Sequence, residues 1–400
     1  MKLQRQAEGA DRITLQFFLQ VVWVSLWITE DLLEMKMDGN STQHNETIVD
    51  NATGTNMGAL ILGLVFLVGF PGNIFVIWSI LARAKKQSIT TLLILNLAFA
   101  DGSLMALTPF FIVYLITRNW MIGEVMCKIL FYLCLLNMYA SIYLIMLMSI
   151  YRLVSVIWPQ RVSKITGKRM IRRVLAATWV LVMVASIPAL IFRQVKKGHY
   201  NNSVCESFHK DDKYVVLQYM LEIVLGFLFP YGVILISYVC ILRRIRQTKF
   251  RRRVRSENLI LAIVLTFCLF WLPYHLVNVL KVASALCNKG ETKDKLDMIG
   301  QRSRAVTSSI AFISSSVNPI LYFFAGKSYI RREGLAFMAR LFEGTGLDSS
   351  RKSRQNSQNS RDKDKDADVT LKDKDPESIS NSVSQVLTNS VLVSPVKNMK

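Results

Sequence analysis

Apolar residues in this 400-residue chain come in long blocks rather than in short alternating runs. Seven blocks, 57–81, 91–117, 125–156, 174–192, 214–242, 258–280 and 306–325, each reach across a hydrocarbon layer of about 30 Å at a helical rise of about 1.5 Å per residue. Lipid offers no partner to backbone N–H and C=O groups, so such blocks have to be helices. The pattern predicts an all-α membrane protein, a bundle of seven transmembrane helices. Its organising stretch is 127–156, which opens on Cys127, carries Asn137, Tyr139 and Ser141 in its middle and has a single arginine, Arg152, near its end.

Composition agrees, with 52% hydrophobic and 19% charged residues. The net charge of +21 at first raises the question of nucleic acid, but its distribution answers it. Arg83, Lys85 and Lys86, then Arg161, Lys164, Lys168, Arg169, Arg172 and Arg173, then the run from Arg243 to Arg255, all fall in loops on one side, with hardly an acid among them. That is the positive-inside asymmetry, so no nucleic-acid partner is needed. The cluster 249–255 has two readings, an orienting basic loop or a partner-binding one. Asn40, Asn45, Asn51 and Asn201 each begin an Asn-x-Ser/Thr triplet on the opposite side, which makes them candidate N-glycosylation sites and puts the N-terminus outside the cell.

The expected organisation is an extracellular N-terminus over 1–56, a seven-span domain over 57–325, an amphipathic helix over 326–343 on the inner leaflet, and a disordered cytoplasmic tail over 344–400. Within the first segment, the apolar run 13–28 follows Lys2, Arg5 and Arg12 and reads as signal-like or untranslated, with Met37 opening a complete short terminus. Serines of the tail, among them Ser349, Ser350, Ser353, Ser357 and Ser360, are candidate phosphosites.

Polar residues inside the spans are where function is expected, because they are expensive in lipid. Asp101 lies mid-span in Asn96-Leu97-Ala98-Phe99-Ala100-Asp101 and needs a proton or a cation. Together with Asn137, Ser141, Ser314, Ser315 and Asn318 it offers oxygen ligands for a sodium ion; the other reading is a hydrogen-bonded plug that holds helices together.

With Gly72-Asn73, Trp179, Pro230, Tyr238, Phe267-Cys268-Leu269-Phe270-Trp271-Leu272-Pro273-Tyr274 and Asn318-Pro319-Ile320-Leu321-Tyr322 added, the chain resembles the rhodopsin-like (class A) G-protein-coupled receptors from about residue 57 to residue 341. The resemblance implies a disulfide between Cys127 and Cys205, both on the oxidising side, while Cys134, Cys240 and Cys268 sit inside spans and Cys287 has no evident partner. It also implies that Ile142, Pro230, Phe267, Trp271 and Pro273 link a ligand pocket to the inner face, where Arg152, Tyr238, Pro319 and Tyr322 reorganise to receive a G protein. In such receptors an acid usually precedes the span-three arginine. Here Tyr151 stands there, and the expectation is measurable signalling without ligand.

An amine receptor of this family has an aspartate where this chain has Cys134, and an opsin has its Schiff-base lysine where this chain has Phe312. The outer halves of the spans instead present Arg193, Lys281 and Arg304, placed at the end of span four, the end of span six and the entrance of span seven. Guanidinium forks match carboxylates; alternatively these cations snorkel to headgroups. Glu222 in span five needs a donor, which Arg193 or a ligand hydroxyl supplies. Asn137-Met138-Tyr139-Ala140-Ser141, Trp271 to Asn278, Ser314 to Pro319 and Leu341-Phe342-Glu343-Gly344-Thr345-Gly346 are similar to leukotriene B4 receptors. That finer resemblance implies Tyr139, Arg193, Glu222, Asn278 and Arg304 as ligand contacts, a hydroxylated fatty acid as ligand, and an inhibitory-type G protein as partner at the plasma membrane. The alternatives are a chemoattractant-peptide receptor of the same fold and, further off, a seven-span transporter. Catalysis is not expected: His44, His199, His209 and His275 are scattered without metal spacing, and His275 reads as an aromatic packing residue beside Tyr274.

Overall fold

The structure is a computed structural model that describes residues 47–83, 89–158, 167–198, 201–247, 254–288 and 290–333. The predicted segment 1–46 with Asn40 and Asn45, most of the basic cluster 249–255, and the chain beyond 333 with its phosphosites lie outside the described residues. The last helix runs on through Glu333, and the rest of the predicted amphipathic helix, 334–343, is likewise outside them.

The spans appear in order. Helix α1 is Ala52–Arg83, α2 Ile89–Thr117 and α3 Gly123–Ile157. The fourth span is split into α4 (Lys168–Ala185) and α5 (Ile187–Phe192), because Pro188 lacks the N–H that would continue the ladder. A two-stranded antiparallel hairpin follows, β1 (Arg193–Lys197) and β2 (Ser203–Ser207), with Val195 opposite Cys205. Asn201 lies in the turn between them with φ of 56°, a left-handed conformation that asparagine tolerates.

The fifth span is α6 (Asp212–Ile223), a π-helical turn (Val224–Leu228) and α7 (Phe229–Gln247). The π-turn has a covalent cause. Pro230 has no N–H to give to the Gly226 carbonyl, and the ladder slips by one residue so that the Phe229 N–H bonds the Val224 carbonyl. Helices α8 (Val254–Leu286) and α9 (Glu291–Glu333) complete the seven.

Helix α3 is central, packing against α2, α4, α5, α7, α8, β1 and the π-turn. Its middle, Asn137 to Ile145, is buried without interruption. Among the described residues six helices are long and apolar enough to cross a membrane; the seventh helix, α9, carries Ser308, Ser309, Ser314, Ser315, Ser316 and Asn318 along its middle.

Two helices extend beyond their apolar blocks. Helix α9 starts at Glu291, about four turns before the predicted 306, and α8 runs to Leu286 rather than 280. Hydropathy marks only the lipid-embedded length of a helix, not its polar outer end. Arg304 and Lys281 therefore sit within helices, not at the ends of spans, and Arg193 is the first residue of β1. At the start of α1, Asn51 accepts the Gly54 N–H at 3.0 Å as a helix cap, and its amide nitrogen faces the Arg302 carbonyl at 3.5 Å.

Candidate functional site: a cationic neck over an apolar cleft

Helix α6 is capped by Asp211, which accepts the Lys213 N–H at 3.3 Å, and brings Gln218 and Glu222 to one face a turn apart. Glu222 is 3% exposed and accepts three hydrogen bonds: from Gln218 at 3.0 Å, from the Tyr274 hydroxyl at 2.8 Å and from the Asn278 amide at 3.0 Å. Tyr274 and Asn278, again one turn apart on α8, also accept from Arg304, whose Nη2 reaches the Tyr274 oxygen at 3.0 Å and whose Nη1 reaches Asn278 Oδ1. The Arg304 guanidinium carbon lies 4.3 Å from the Tyr274 ring centroid. Carboxylate and guanidinium are thus bridged by two neutral side chains. From Gln218 the network continues outward, since its Oε1 is 2.8 Å from His209 Nε2 in the loop after β2.

Arg193, weighed above as a donor to Glu222, is engaged elsewhere. Its Nη1 donates to the Cys205 carbonyl at 3.3 Å and its guanidinium carbon lies 3.6 Å from the Phe131 ring centroid. The Cys127–Cys205 disulfide, with Cα atoms 5.8 Å apart, ties the hairpin to the start of α3 and so fixes this arginine over the bundle.

Two cavities meet here. The first, about 120 Å³, is a mostly apolar cleft lined by Phe111, Phe131, Cys134, Leu135, Met138, Trp271, Ala311 and Phe312, with Gln218, Glu222 and Tyr274 on its polar side. The second, about 230 Å³, is a polar vestibule lined by Glu206, His209, Asp212, Lys281, Lys293, Asp297 and Gln301. Arg193 and Arg304 line both and form the neck between them. Lys281 faces the vestibule. Of the five residues expected to touch ligand, Arg193, Glu222 and Arg304 line the cleft. Asn278 stands behind it as a bridge, and Tyr139 is 1% exposed and is not among the lining residues.

Deeper in the bundle, Asp101 is fully buried and accepts from Ser141 at 3.1 Å, Asn137 at 3.4 Å and Asn318 at 2.8 Å. The Ser315 hydroxyl donates to Asn137 Oδ1 at 3.4 Å, and its carbonyl accepts from Asn73 at 3.1 Å. Ser314 is not part of this cluster. One residue is about 100° of helical rotation, so its hydroxyl turns to Trp271, accepting from Nε1 at 3.0 Å. Two of the three donors to Asp101 are the amide nitrogens of Asn137 and Asn318, whose amide oxygens, with the Ser141 and Ser315 hydroxyls and the Asp101 carboxylate, are of the hard-ligand type that suits an alkali cation. Among the described residues no three His, Cys, Asp or Glu side chains come together as for a transition metal.

The family described as 7 transmembrane receptor (rhodopsin family) matches residues 72–322. The chain belongs to that family. It is 40% identical over 304 residues to leukotriene B4 receptor 1 of Homo sapiens, covering 75% of this chain and 86% of that one. It is 36% identical over 307 residues to leukotriene B4 receptor 2 of Homo sapiens, covering 76% and 85%. A more distant match, 27% over 307 residues, is somatostatin receptor type 1 of Rattus norvegicus. These relatives are receptors, not enzymes, and the chain is a multi-pass membrane protein.

Within this receptor Trp271 stacks on Phe267, centroids 5.5 Å apart, and bonds Ser314, so the floor of the cleft is joined to the middle of α8 and α9. Ile142 is fully buried on α3, Pro230 follows the π-turn, and Pro273 and Pro319 lie inside α8 and α9. Arg152 and Tyr238 are half-buried and Tyr322 is buried. Cys134 and Phe312 both line the cleft, so the residues that stand in place of an amine-binding aspartate and a retinal lysine face the cavity where either would act. Gln218 and Tyr274 were missed as members of the polar network. The signal was local: each lies four residues before a residue already singled out, Glu222 and Asn278.

Proposed function

We propose that this receptor takes a hydroxylated fatty acid of the eicosanoid kind, leukotriene B4 or a related oxylipin, and signals through heterotrimeric G proteins of the inhibitory type in chemotaxis and inflammation. The observation that carries this reading is the neck: Arg193 and Arg304 line both the polar vestibule and the apolar cleft. A carboxylate held there sends its hydrocarbon tail among Phe111, Leu135, Met138 and Phe312 and its hydroxyls toward polar side chains. The names of the human relatives support the same ligand class. Binding that favours the state with the inner half of α8 swung outward shifts the population toward the G-protein-competent form. Under this reading the receptor sits in the plasma membrane with its N-terminus outside, Asp101 with Ser141, Asn137 and Ser315 holds a sodium ion that favours the resting state, and the phosphorylated tail recruits arrestin.

A peptide ligand is the second reading, favoured by the mixed charge of the vestibule, where Glu206, Asp212 and Asp297 face Lys281 and Lys293. G-protein activation in cells, with leukotriene B4 and related hydroxy fatty acids across a concentration series, separates the two. The expected result is a saturable response that Arg193→Ala weakens about ten- to a hundredfold at unchanged surface expression, the size of one charge-assisted hydrogen bond. Silence from a receptor confirmed at the surface favours the peptide. Tyr151 stands where the family has an acid; Tyr151→Asp is expected to lower ligand-free signalling, and equal signalling from both would sink that idea.

A further inference from the structure

Among the described residues the cleft and the vestibule share three in their linings: Arg193, Arg304 and Ile48. Ile48 belongs to neither a span nor the hairpin. It sits in the turn that precedes α1, ahead of the residues 72–322 that carry the family match.

The turn is held in place from three sides. The Asp50 N–H donates to the Thr47 carbonyl at 3.1 Å and the Asp50 carboxylate accepts the Thr47 N–H at 2.6 Å, so the residues flanking Ile48-Val49 close on each other. Val49 is 1% exposed and joins the buried cluster of Phe111, Leu115 and Trp120. Asn51 caps α1 and turns its amide toward the Arg302 carbonyl, two residues before Arg304 on α9. A Cβ on Gly54 would lie 2.9 Å from Asn51 Nδ2 and 3.5 Å from that carbonyl, so a glycine leaves room for the contact. Val49 supplies the packing anchor, while Ile48 stays half-buried and lines both cavities.

The neck thus sets two chemistries side by side. The guanidiniums take a carboxylate, and the branched alkyl group of Ile48 offers no hydrogen bond to whatever adjoins that carboxylate. A hydroxyl or amide brought against it gives up water without gaining a partner, whereas a methylene group gains by burial.

We propose that Ile48 determines specificity at the neck: it admits acids whose first carbons beyond the carboxylate are bare methylenes and rejects acids with a polar group on the adjoining carbon, the terminal carboxylate of a peptide among them. The proposal rests on the lipid reading above and narrows its ligand class. Leukotriene B4, whose hydroxyls lie farther along the chain, meets the requirement.

Cells expressing the receptor are given leukotriene B4 and, separately, the same acid with an added hydroxyl on the carbon next to the carboxylate. Potency is read for the parent, Ile48→Thr and Ile48→Ala at matched surface expression. The parent is expected to prefer the unsubstituted acid by about tenfold, the cost of desolvating one unpaired hydroxyl. Ile48→Thr offers that hydroxyl a partner and Ile48→Ala leaves room for water beside it, and either change is expected to bring the ratio close to one. Damage to the turn alone weakens both acids alike and leaves the ratio as it was. A ratio that survives in both variants, or a parent without preference, overturns the role of Ile48 while the lipid reading stands. A parent silent to both acids overturns the lipid reading and this proposal with it.

Discussion

The receptor buries two carboxylates in the same manner and balances them differently. Glu222 and Asp101 each accept three hydrogen bonds from neutral side chains, two of them amides in both cases. Behind the donors of Glu222 stands Arg304, whose guanidinium holds Tyr274 and Asn278 in place. Behind the donors of Asp101 stand Ser315 and Asn73, and among the described residues Asp101 makes no ion pair. A charge taken out of water needs an opposite charge somewhere in its network. The outer site carries its counter-charge in the sequence, whereas the inner one, among the described residues, has none within its network and is left to a proton or a cation. That contrast is what the proposed reading uses, an acidic ligand at the outer network, where it shares Arg304, and a small cation at the inner one.

The largest expected effect comes from breaking the outer balance. Arg304→Ala leaves Glu222 buried with hydrogen bonds but no cation, and removing one partner of a buried pair costs about 3–5 kcal/mol. The receptor is expected to melt at a clearly lower temperature in detergent, and its potency for leukotriene B4 to fall more than about a hundredfold. Adding Glu222→Gln to Arg304→Leu removes both charges and is expected to restore the melting temperature without restoring potency. A single Arg304→Ala receptor that melts like the parent would show that the bridged pair is not coupled.

The inner network predicts a smaller effect with a different readout. Asp101→Asn keeps an acceptor for Ser141 and Asn318 and deletes the charge. Replacing sodium by choline at constant ionic strength is expected to raise agonist affinity of the parent about fivefold, the low end of ordinary site-to-site coupling, and to leave Asp101→Asn unchanged. An agonist affinity of the parent that ignores the choice of cation removes the basis for assigning sodium to Asp101.

How these two networks were legible in the sequence follows from their geometry. Asp101, Asn137, Ser141 and Asn318 sit mid-span in apolar blocks, where any polar residue stands out, and the structure brings all four together. Ser314 and Ser315 also stand out, but sequence does not tell which of two adjacent helical positions faces inward; a rotation of about 100° sends one to Asp101's cluster and the other to Trp271. Glu222 and Arg304 were legible as charges that need partners. Their bridging through Tyr274 and Asn278 was not, because it depends on how far α9 extends outward and on the phase of α8 against it. The link from Gln218 to His209 was beyond reach for a further reason: it joins a helix to a loop whose path is set by the hairpin and the disulfide.

That last link sharpens the comparison, because it makes the outer network accessible from solution while the inner one is sealed. His209 lies outside the spans, half-buried against Phe192 at 4.6 Å between ring centroids. Burial holds its pKa below the ordinary value of 6.5; the bond to Gln218 and the charge of Glu222 oppose this, while Arg193 and Lys281 reinforce it. With the folded-state pKa depressed, the unfolded chain takes up a proton at His209 as pH falls through about 6.5 while the folded receptor does not. Stability is therefore undiminished above that pH and declines below it, until the folded-state pKa is reached. A glutamine at this position can still donate to Gln218 but does not titrate. Melting of the parent and of His209→Gln from about pH 7.5 to about pH 5.5 is expected to give profiles that coincide at the upper end and diverge at the lower, with the variant losing less. Profiles that stay parallel would mean that the His209–Gln218 bond opens without cost. The path from the vestibule to Glu222 would then begin at Gln218 rather than at the loop.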